Sequence, residues 1–303
     1  MPGTGRFAPS PSGELHVGNL RTAALAWLTA RSTSRAFLLR IEDLDEQRSR
    51  PEHTERQIAD LRAIGLDWDH EPVWQSTRLS EYRAALEKLA AAGHTYECYC
   101  TRKEIREAQS APHGNVGRYP GTCRDLTAAQ RAERRDRGRP PAIRLRGQDA
   151  ERSWEDLVMG RRTGVVDDVV LCRWDGALAY NLAVVVDDVW QKVDQVVRGD
   201  DLADQTATQI MLTELLSGGA PSYGHVPLVV NAAGQRLAKR DGAVTLADLA
   251  ATGVTPADVV MMLLGSFGDA VDPAARTLRD ALPGFDLQKL PGGSFPFEPP
   301  GVR

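Results

Sequence analysis

Past the loop-like string APSPSGELHVGN, apolar residues recur at Leu20, Ala23, Ala24, Trp27 and Leu28, a helical spacing. The run FLLRIED, residues 37–43, is apolar until it meets its closing carboxylates and predicts a buried strand with charge at its C-terminal end. Pro51 predicts the first turn of another helix, with Glu52 and Glu55 near its start and Ile58, Leu61 and Ile64 on one face. Gly65 is a natural stop for it. A third helix is expected after Ser80, burying Tyr82, Leu86 and Leu89 and ending near Gly93. Loop, helix, strand, helix, helix is the opening of a doubly wound α/β sheet.

From about Tyr96 to Arg162 the pattern changes: cysteines, the polar loop SAPHGNVGRYPGT and an arginine-rich helical run read as an inserted module. Strand-like material returns in VVDDVVLCRW and LAYNLAVVVDDVW. A helix is expected to begin near Leu202 and to carry Thr206, Ile210 and Leu215. After HVPLVVNAAGQRLAKRDG come two short helices, 246–251 and 256–264. The proline- and glycine-rich tail reads as extended and packed through Phe295 and Phe297. No internal repeat is visible.

Composition excludes several classes. With 42% hydrophobic and 26% charged residues, the chain is neither fibrous nor globally disordered. A net charge of -4 supplies no overall basic field, so any RNA contact must come from a local patch. No apolar run reaches the length of a membrane span, and the first residues lack the pattern of a secretory signal. A cytoplasmic protein without a membrane partner is expected. Only five of the 37 basic residues are lysine, which makes each lysine worth inspecting.

Several constellations could carry chemistry. In PSPSGELHVGNL, His16 and Gly18 precede a helix start; histidine can approach phosphate oxygens, glycine admits them to the backbone, and the helix N-terminus favours their charge. Alone, the string reads equally as an ordinary turn with a surface histidine. In AGQRLAKRDG, Lys239 lies between Arg236 and Arg240. Such a loop can neutralise charge developing on ATP phosphates, although alone it reads better as a solvated turn. Cys98, Cys100 and Cys123, with Tyr119, offer a C-x-C and Y-x-x-x-C donor set for a tetrahedral metal, and three reduced cysteines without metal stand as the equal alternative. Cys172 reads as plain core. Residues 124–146 hold eight arginines against three acids, which fits RNA phosphates or a solvated helix face equally.

Taken together, HVGN and RLAKR resemble the HIGH and KMSKS motifs of class I aminoacyl-tRNA synthetases. GRFAPSPSGELHVGNLRTAALAWL, FLLRIEDLDEQR and VVVDDV followed by VVRGDDL are similar to the glutamyl and glutaminyl group, over roughly residues 5–265. Asn19 stands at the second histidine of HIGH, Arg236 at the first lysine of KMSKS and Ala238 at its serine. Val184 stands where ordinary glutamyl-tRNA synthetases have asparagine, and no anticodon-binding module is expected within 303 residues. These departures resemble the glutamyl-queuosine tRNA(Asp) synthetase family.

The resemblance implies a Rossmann-type catalytic fold in two halves, 1–95 and 165–225. An inserted module would span 96–164, and the basic loop, small helical region and tail 226–303. It implies activation of L-glutamate with ATP and Mg²⁺, and transfer to the queuosine base in the anticodon stem-loop of tRNA(Asp), by a monomer. His16 and Lys239 would be catalytic, with Gly18, Asn19 and Arg236 also at ATP. Arg6, Ser10, Glu42, Tyr180 and Arg198 would line the glutamate pocket: arginine suits a carboxylate fork, Glu42 an ammonium and Tyr180 a donated hydroxyl. Zn²⁺ would sit on Cys98, Cys100, Tyr119 and Cys123. A pairing of Arg198 with Asp200 or Asp201 is the structural alternative for that arginine. A shortened glutamyl-tRNA synthetase, a glutamate ligase for a small acceptor, and a non-catalytic RNA-binding paralogue remain as alternative functions.

Overall fold

The computed structural model describes residues 3–109, 118–138, 140–231, 234–235 and 244–297. Its centre is a seven-stranded sheet in the order β3-β2-β1-β9-β10-β6-β7. These strands are β1 (Thr4–Phe7), β2 (Ala36–Ile41), β3 (Val73–Trp74), β6 (Glu151–Asp156), β7 (Gly160–Val165), β9 (Gln195–Gly199) and β10 (Ser222–Val226). Every neighbouring pair is parallel except the β6–β7 hairpin at one edge. The chain leaves β1 toward β2 and β3 on one side and returns on the other through β9 and β10. The gap outside the C-terminal ends of β1 and β9 is therefore the switch point, where sheets of this kind bind ligands.

Helices cover both faces. On one, α1 (Val17–Ser32) is buried nearly all round, with Leu20, Ala23, Leu25 and Leu28 fully excluded from solvent. It packs with α8 (Leu246–Ala251), α9 (Pro256–Gly265) and the tail in one continuous apolar core. α2 (Pro51–Ala63) stops before Gly65, whose φ of +86° suits glycine. On the other face, α3 (Leu79–Ala91), α6 (Tyr180–Trp190) and α7 (Thr206–Leu216) share a second core.

The run LAYNLAVVVDDVW is this α6, not a strand. Leu182, Ala183, Val184 and Val185 are all buried, so a continuous apolar run left no exposed face to reveal the helical period. The helix expected near Leu202 begins with a 3₁₀ turn, Asp200–Gln205, before α7.

Strand pairing cuts across the segment ends expected at 96 and 164. A second, three-stranded sheet pairs β4 (Thr95–Cys98), β5 (Ala142–Leu145) and β8 (Val170–Cys172), whereas the 151–165 hairpin joins the main sheet. Beside the small sheet lie α4 (Arg102–Gln109) and α5 (Ala128–Asp136); α5 buries none of its residues. The tail does pack through its phenylalanines. β12 (Phe295–Pro296) pairs with β11 (Val229–Val230), and Phe297 is buried. No described helix is long and apolar enough to cross a membrane.

Candidate active site

At the switch point lies a cleft of about 580 Å³. Arg6, Ser10, His16, Gly18, Asn19, Glu42, Tyr180 and Arg198 all line it, so one space collects residues spread over nearly 200 positions. Arg236, Ala238 and Lys239 lie outside the described residues. The described residue after that stretch reaches the site: Val17 N–H donates to Val244 O at 3.0 Å, and His16 bridges to Thr245.

His16 caps α1. Its Nδ1 accepts from Gly18 N–H at 3.1 Å, so in the neutral ring the proton sits on Nε2, a donor suited to a phosphate oxygen. A Cβ on Gly18 would meet His16 Cε1 and Nδ1 at 2.9 Å and push the ring away. Asn19 acts locally. Its Oδ1 accepts from His16 N–H at 3.1 Å and completes the capping box. The helix start thus fixes the histidine while leaving its own dipole toward the cleft.

Arg6, at the end of β1, is held from the side. Its Nε and Nη2 each donate to Asp188 at 3.3 Å, which leaves the Nη1 amino group and one Nη2 hydrogen of the fork. Asp188 also accepts from Arg40 at 2.7 Å; burial would push its carboxyl up, but Arg6 and Arg40 hold it below the ordinary carboxylate range. Arg40 reaches Glu42 at 3.3 Å. Burial raises the Glu42 pKa, with Arg40 and Arg6 opposing. A buried carboxylate in that condition gains by meeting a cation such as an α-ammonium.

Arg198, at the end of β9, is 4% exposed. It makes no ion pair with Asp200 or Asp201, nor with any described carboxylate. Its partners are neutral: His225 Nε2 at 3.1 Å, Gln209 Oε1 at 2.6 Å, Leu202 O at 3.2 Å and Thr206 Oγ1 at 2.9 Å. Burial lowers its pKa, with Tyr180 opposing. Tyr180 opens α6 at the cleft, and burial, then Glu42, raises its phenol. The pocket therefore combines positive charge lacking a contacting counter-ion, a buried carboxylate and a phenol.

Three supporting residues had escaped sequence reasoning. For Asp188, two adjacent carboxylates inside the apolar run AVVVDDVW are the available signal. Arg40 lies in the strand as its lone charge before Glu42. Gln57, from α2, donates to Ser10 O at 3.1 Å and Gly13 O at 2.6 Å and so holds the loop between β1 and α1.

The cysteines form a second centre. Cys98, Cys100 and Cys123 place their sulfurs within 4.8 Å of one another, the one such donor group among the described residues. Tyr119 Oη lies 3.3 Å from both Cys98 and Cys100, and Cys100 Sγ lies 3.5 Å from Cys123 Sγ. Thiolates around a tetrahedral zinc lie about 3.8 Å apart, so this donor set fits such an ion with small adjustment. Hydrogen bonds from Cys100 and Cys123 favour a thiolate at Cys98, while neighbouring sulfurs push Cys100 up and burial pushes Tyr119 up. Cys172 stands apart, half-buried in β8.

Much of the arginine-rich run is tied within the protein. Arg124 pairs with Asp168 and Asp149, Arg135 with Glu97, Arg137 with Glu133 and Arg146 with Asp125. Arg144 lies over the Tyr119 ring at 3.8 Å. Arg139 lies outside the described residues.

Residues 4–270 match the family model for the catalytic domain of class I tRNA synthetases, E and Q. The chain belongs to this family. Within it, the chain is 59% identical over 289 residues to the Glutamyl-Q tRNA(Asp) synthetase of Nocardia farcinica, covering 95% of this chain and 91% of that one. It is 46% identical to the protein of that name from Symbiobacterium thermophilum, covering 95% and 93%. It is 40% identical to the glutamate–tRNA ligase of Picosynechococcus, covering 94% of this chain but 62% of that enzyme. Among solved structures, the glutamate-tRNA synthetase of Elizabethkingia anophelis superposes with a TM-score of 0.84 at 25% identity, over 98% of this chain and 68% of that one.

Proposed function

We propose that the chain activates L-glutamate with ATP and transfers it to the queuosine base of the tRNA(Asp) anticodon. The observation that carries the glutamate assignment is Arg198, a buried cation whose contacts are all neutral, in the same cleft as Arg6 and Glu42. A side-chain carboxylate completes that charge balance, while Glu42 receives the α-ammonium. Ser10 and Tyr180 offer hydroxyls beside them.

The α-carboxylate oxygen attacks the α-phosphorus of ATP·Mg²⁺. The new bond is carboxyl oxygen to phosphorus; the bond to the bridging oxygen breaks and pyrophosphate leaves. His16 Nε2–H and the positive end of the α1 dipole stabilise charge on the transferring phosphate, and Gly18 carries no side chain to displace the ring. Asn19 acts there through the cap it makes with His16. Arg236 and Lys239 supply positive charge from the basic loop. A hydroxyl of the queuosine cyclopentenediol then attacks the mixed anhydride, AMP leaves, and the glutamyl ester remains on the base.

The greater identity to the Glutamyl-Q tRNA(Asp) synthetases than to the glutamate–tRNA ligase favours this acceptor. The seven-stranded sheet serves as the catalytic unit and the three-stranded one as the insert. Zn²⁺ held by Cys98, Cys100, Cys123 and Tyr119 would tie the end of β4 to the 119–123 turn and neutralise the thiolates; its role is structural. The reduced thiols suit the cytoplasm, where the enzyme works as a monomer.

Glutamate-dependent exchange of pyrophosphate into ATP tests the activation step. Exchange should require glutamate. Lys239→Ala should lower it roughly 10²-fold, and Arg198→Ala should raise the KM for glutamate by a similar factor. Absence of exchange with any amino acid would make the chain a non-catalytic binder.

A further inference from the structure

Beneath Arg198 lies a buried pair that glutamate activation, as described, does not use. His225 on β10 and Asp156 on β6 are excluded from solvent and lie 69 residues apart in sequence. Asp156 is held on both oxygens. Its Oδ1 accepts from the backbone N–H groups of His225, Val158 and Met159 at 3.1, 3.1 and 3.0 Å. Its Oδ2 accepts from Trp154 Nε1 at 3.3 Å and lies against His225 Nδ1. Burial alone would raise the Asp156 pKa, yet the hydrogen bonds from His225 bring it well below the ordinary range.

These partners select one imidazole tautomer. An ionised carboxylate only accepts, so Nδ1 carries the ring proton. On the far side, Nε2 lies 3.1 Å from Arg198 Nε, and a guanidinium only donates, so Nε2 must be the acceptor. Thr206 Oγ1 closes the arrangement, 3.1 Å from Nε2 and 2.9 Å from Arg198 Nη2. Its hydroxyl can donate to the ring while accepting from the arginine. Tyr223 lies parallel to the imidazole, centroids 6.1 Å apart.

We propose that His225, set in its Nδ1-protonated tautomer by Asp156, is a positioning residue for Arg198 and thereby for recognition of the substrate's side-chain carboxylate. A carboxylate placed directly on Arg198 would fix the guanidinium but neutralise it. A neutral ring between the two fixes the guanidinium and leaves its charge for the substrate. The negative charge of Asp156 is directed to the imidazole and three backbone amides instead. This inference rests on the reading that Arg198 receives the glutamate side chain.

The test uses the full chain and Asp156→Asn. The side-chain amide keeps the shape but puts a donor against Nδ1, which drives the ring proton to Nε2 and sets two donors face to face at Arg198. Nitrogen-15 spectra of the histidine rings should show Nδ1–H for His225 in the parent and Nε2–H in the variant. The KM for glutamate should rise roughly 10- to 100-fold, with the KM for ATP within about 3-fold. His225→Gln can return an acceptor near Nε2 and should recover most of the glutamate affinity that His225→Phe loses. An Nε2–H tautomer in the parent overturns the proposal. So does an unchanged KM for glutamate in a folded Asp156→Asn variant whose tautomer has switched, or equal losses in the two His225 variants. If Arg198→Ala itself leaves the KM for glutamate unchanged, the pocket assignment has failed rather than the relay alone.

Discussion

Asp187 and Asp188 show how adjacent residues can divide two structural roles. Asp187 faces α3 and accepts from Gln75, Arg78 and Tyr82 at 2.8–2.9 Å. Asp188 faces the sheet and holds Arg6 and Arg40. Removing the Asp188 charge leaves the buried Arg6 without its carboxylate, while Arg40 keeps Glu42 at 3.3 Å and Asp187 at 3.7 Å. Asp188→Asn should therefore cost about 3 kcal/mol or more of stability, read from denaturant midpoints. The pH sign follows from its depressed folded pKa. Its contribution is present above the unfolded value of about 3.9 and is lost as pH falls through the folded value. The parent's stability should thus fall more steeply than the variant's below about pH 4; parallel curves would contradict the role given to this carboxylate. Arg6, His16, Glu42 and Arg198, which line one cleft, are legible in the sequence through the family resemblance of the motifs that hold them. His225 and Asp156 are not, since only the parallel pairing of β10 with β6 brings them together.

At the scale of elements, local signals succeeded where an exposed face or a cap marked the boundary. Pro51 and Gly65 bracket α2, and Thr245 and Thr255 cap α8 and α9 through capping boxes. α6 carried no such mark: its apolar stretch is covered on both sides, so period could not separate helix from strand. Sequence order alone puts the 151–165 hairpin within the insert, whereas the pairing of β6 with β10 joins it to the main sheet. In the insert itself, three sulfurs and a phenol form a small apolar cluster with Tyr96. β5 and β8 also bury Leu145 and Leu171 in the core shared by α3, α6 and α7, and a metal would strengthen the cluster around the thiols. Protein purified without chelator should contain about one zinc per chain by elemental analysis. Cys123→Ala should lose it and loosen the insert, seen as new proteolysis between 100 and 140, whereas Cys172→Ala should leave the metal content unchanged. Less than about 0.1 zinc per chain in folded, active protein would remove the metal from the account.

For the molecule as a whole, the switch point between β1 and β9 explains why the site is where it is. β1 carries Arg6 and the loop after it His16; β9 carries Arg198; Glu42 directly follows β2 beside them. The tail strand pairs with β11 just before the basic loop, so the last described segment braces one approach to the cleft. This arrangement supports the proposed activation of glutamate. The acceptor is the claim that separates this chain from an ordinary glutamyl-tRNA synthetase. The direct measurement supplies labelled glutamate, ATP and tRNA(Asp), carrying either queuosine or guanosine at the wobble position, and then cleaves the charged RNA on both sides of the anticodon loop. Label on the anticodon fragment, and none when guanosine replaces queuosine, is the predicted result. Label on the 3′ fragment, regardless of the wobble base, would contradict it and make the chain a conventional glutamyl-tRNA synthetase.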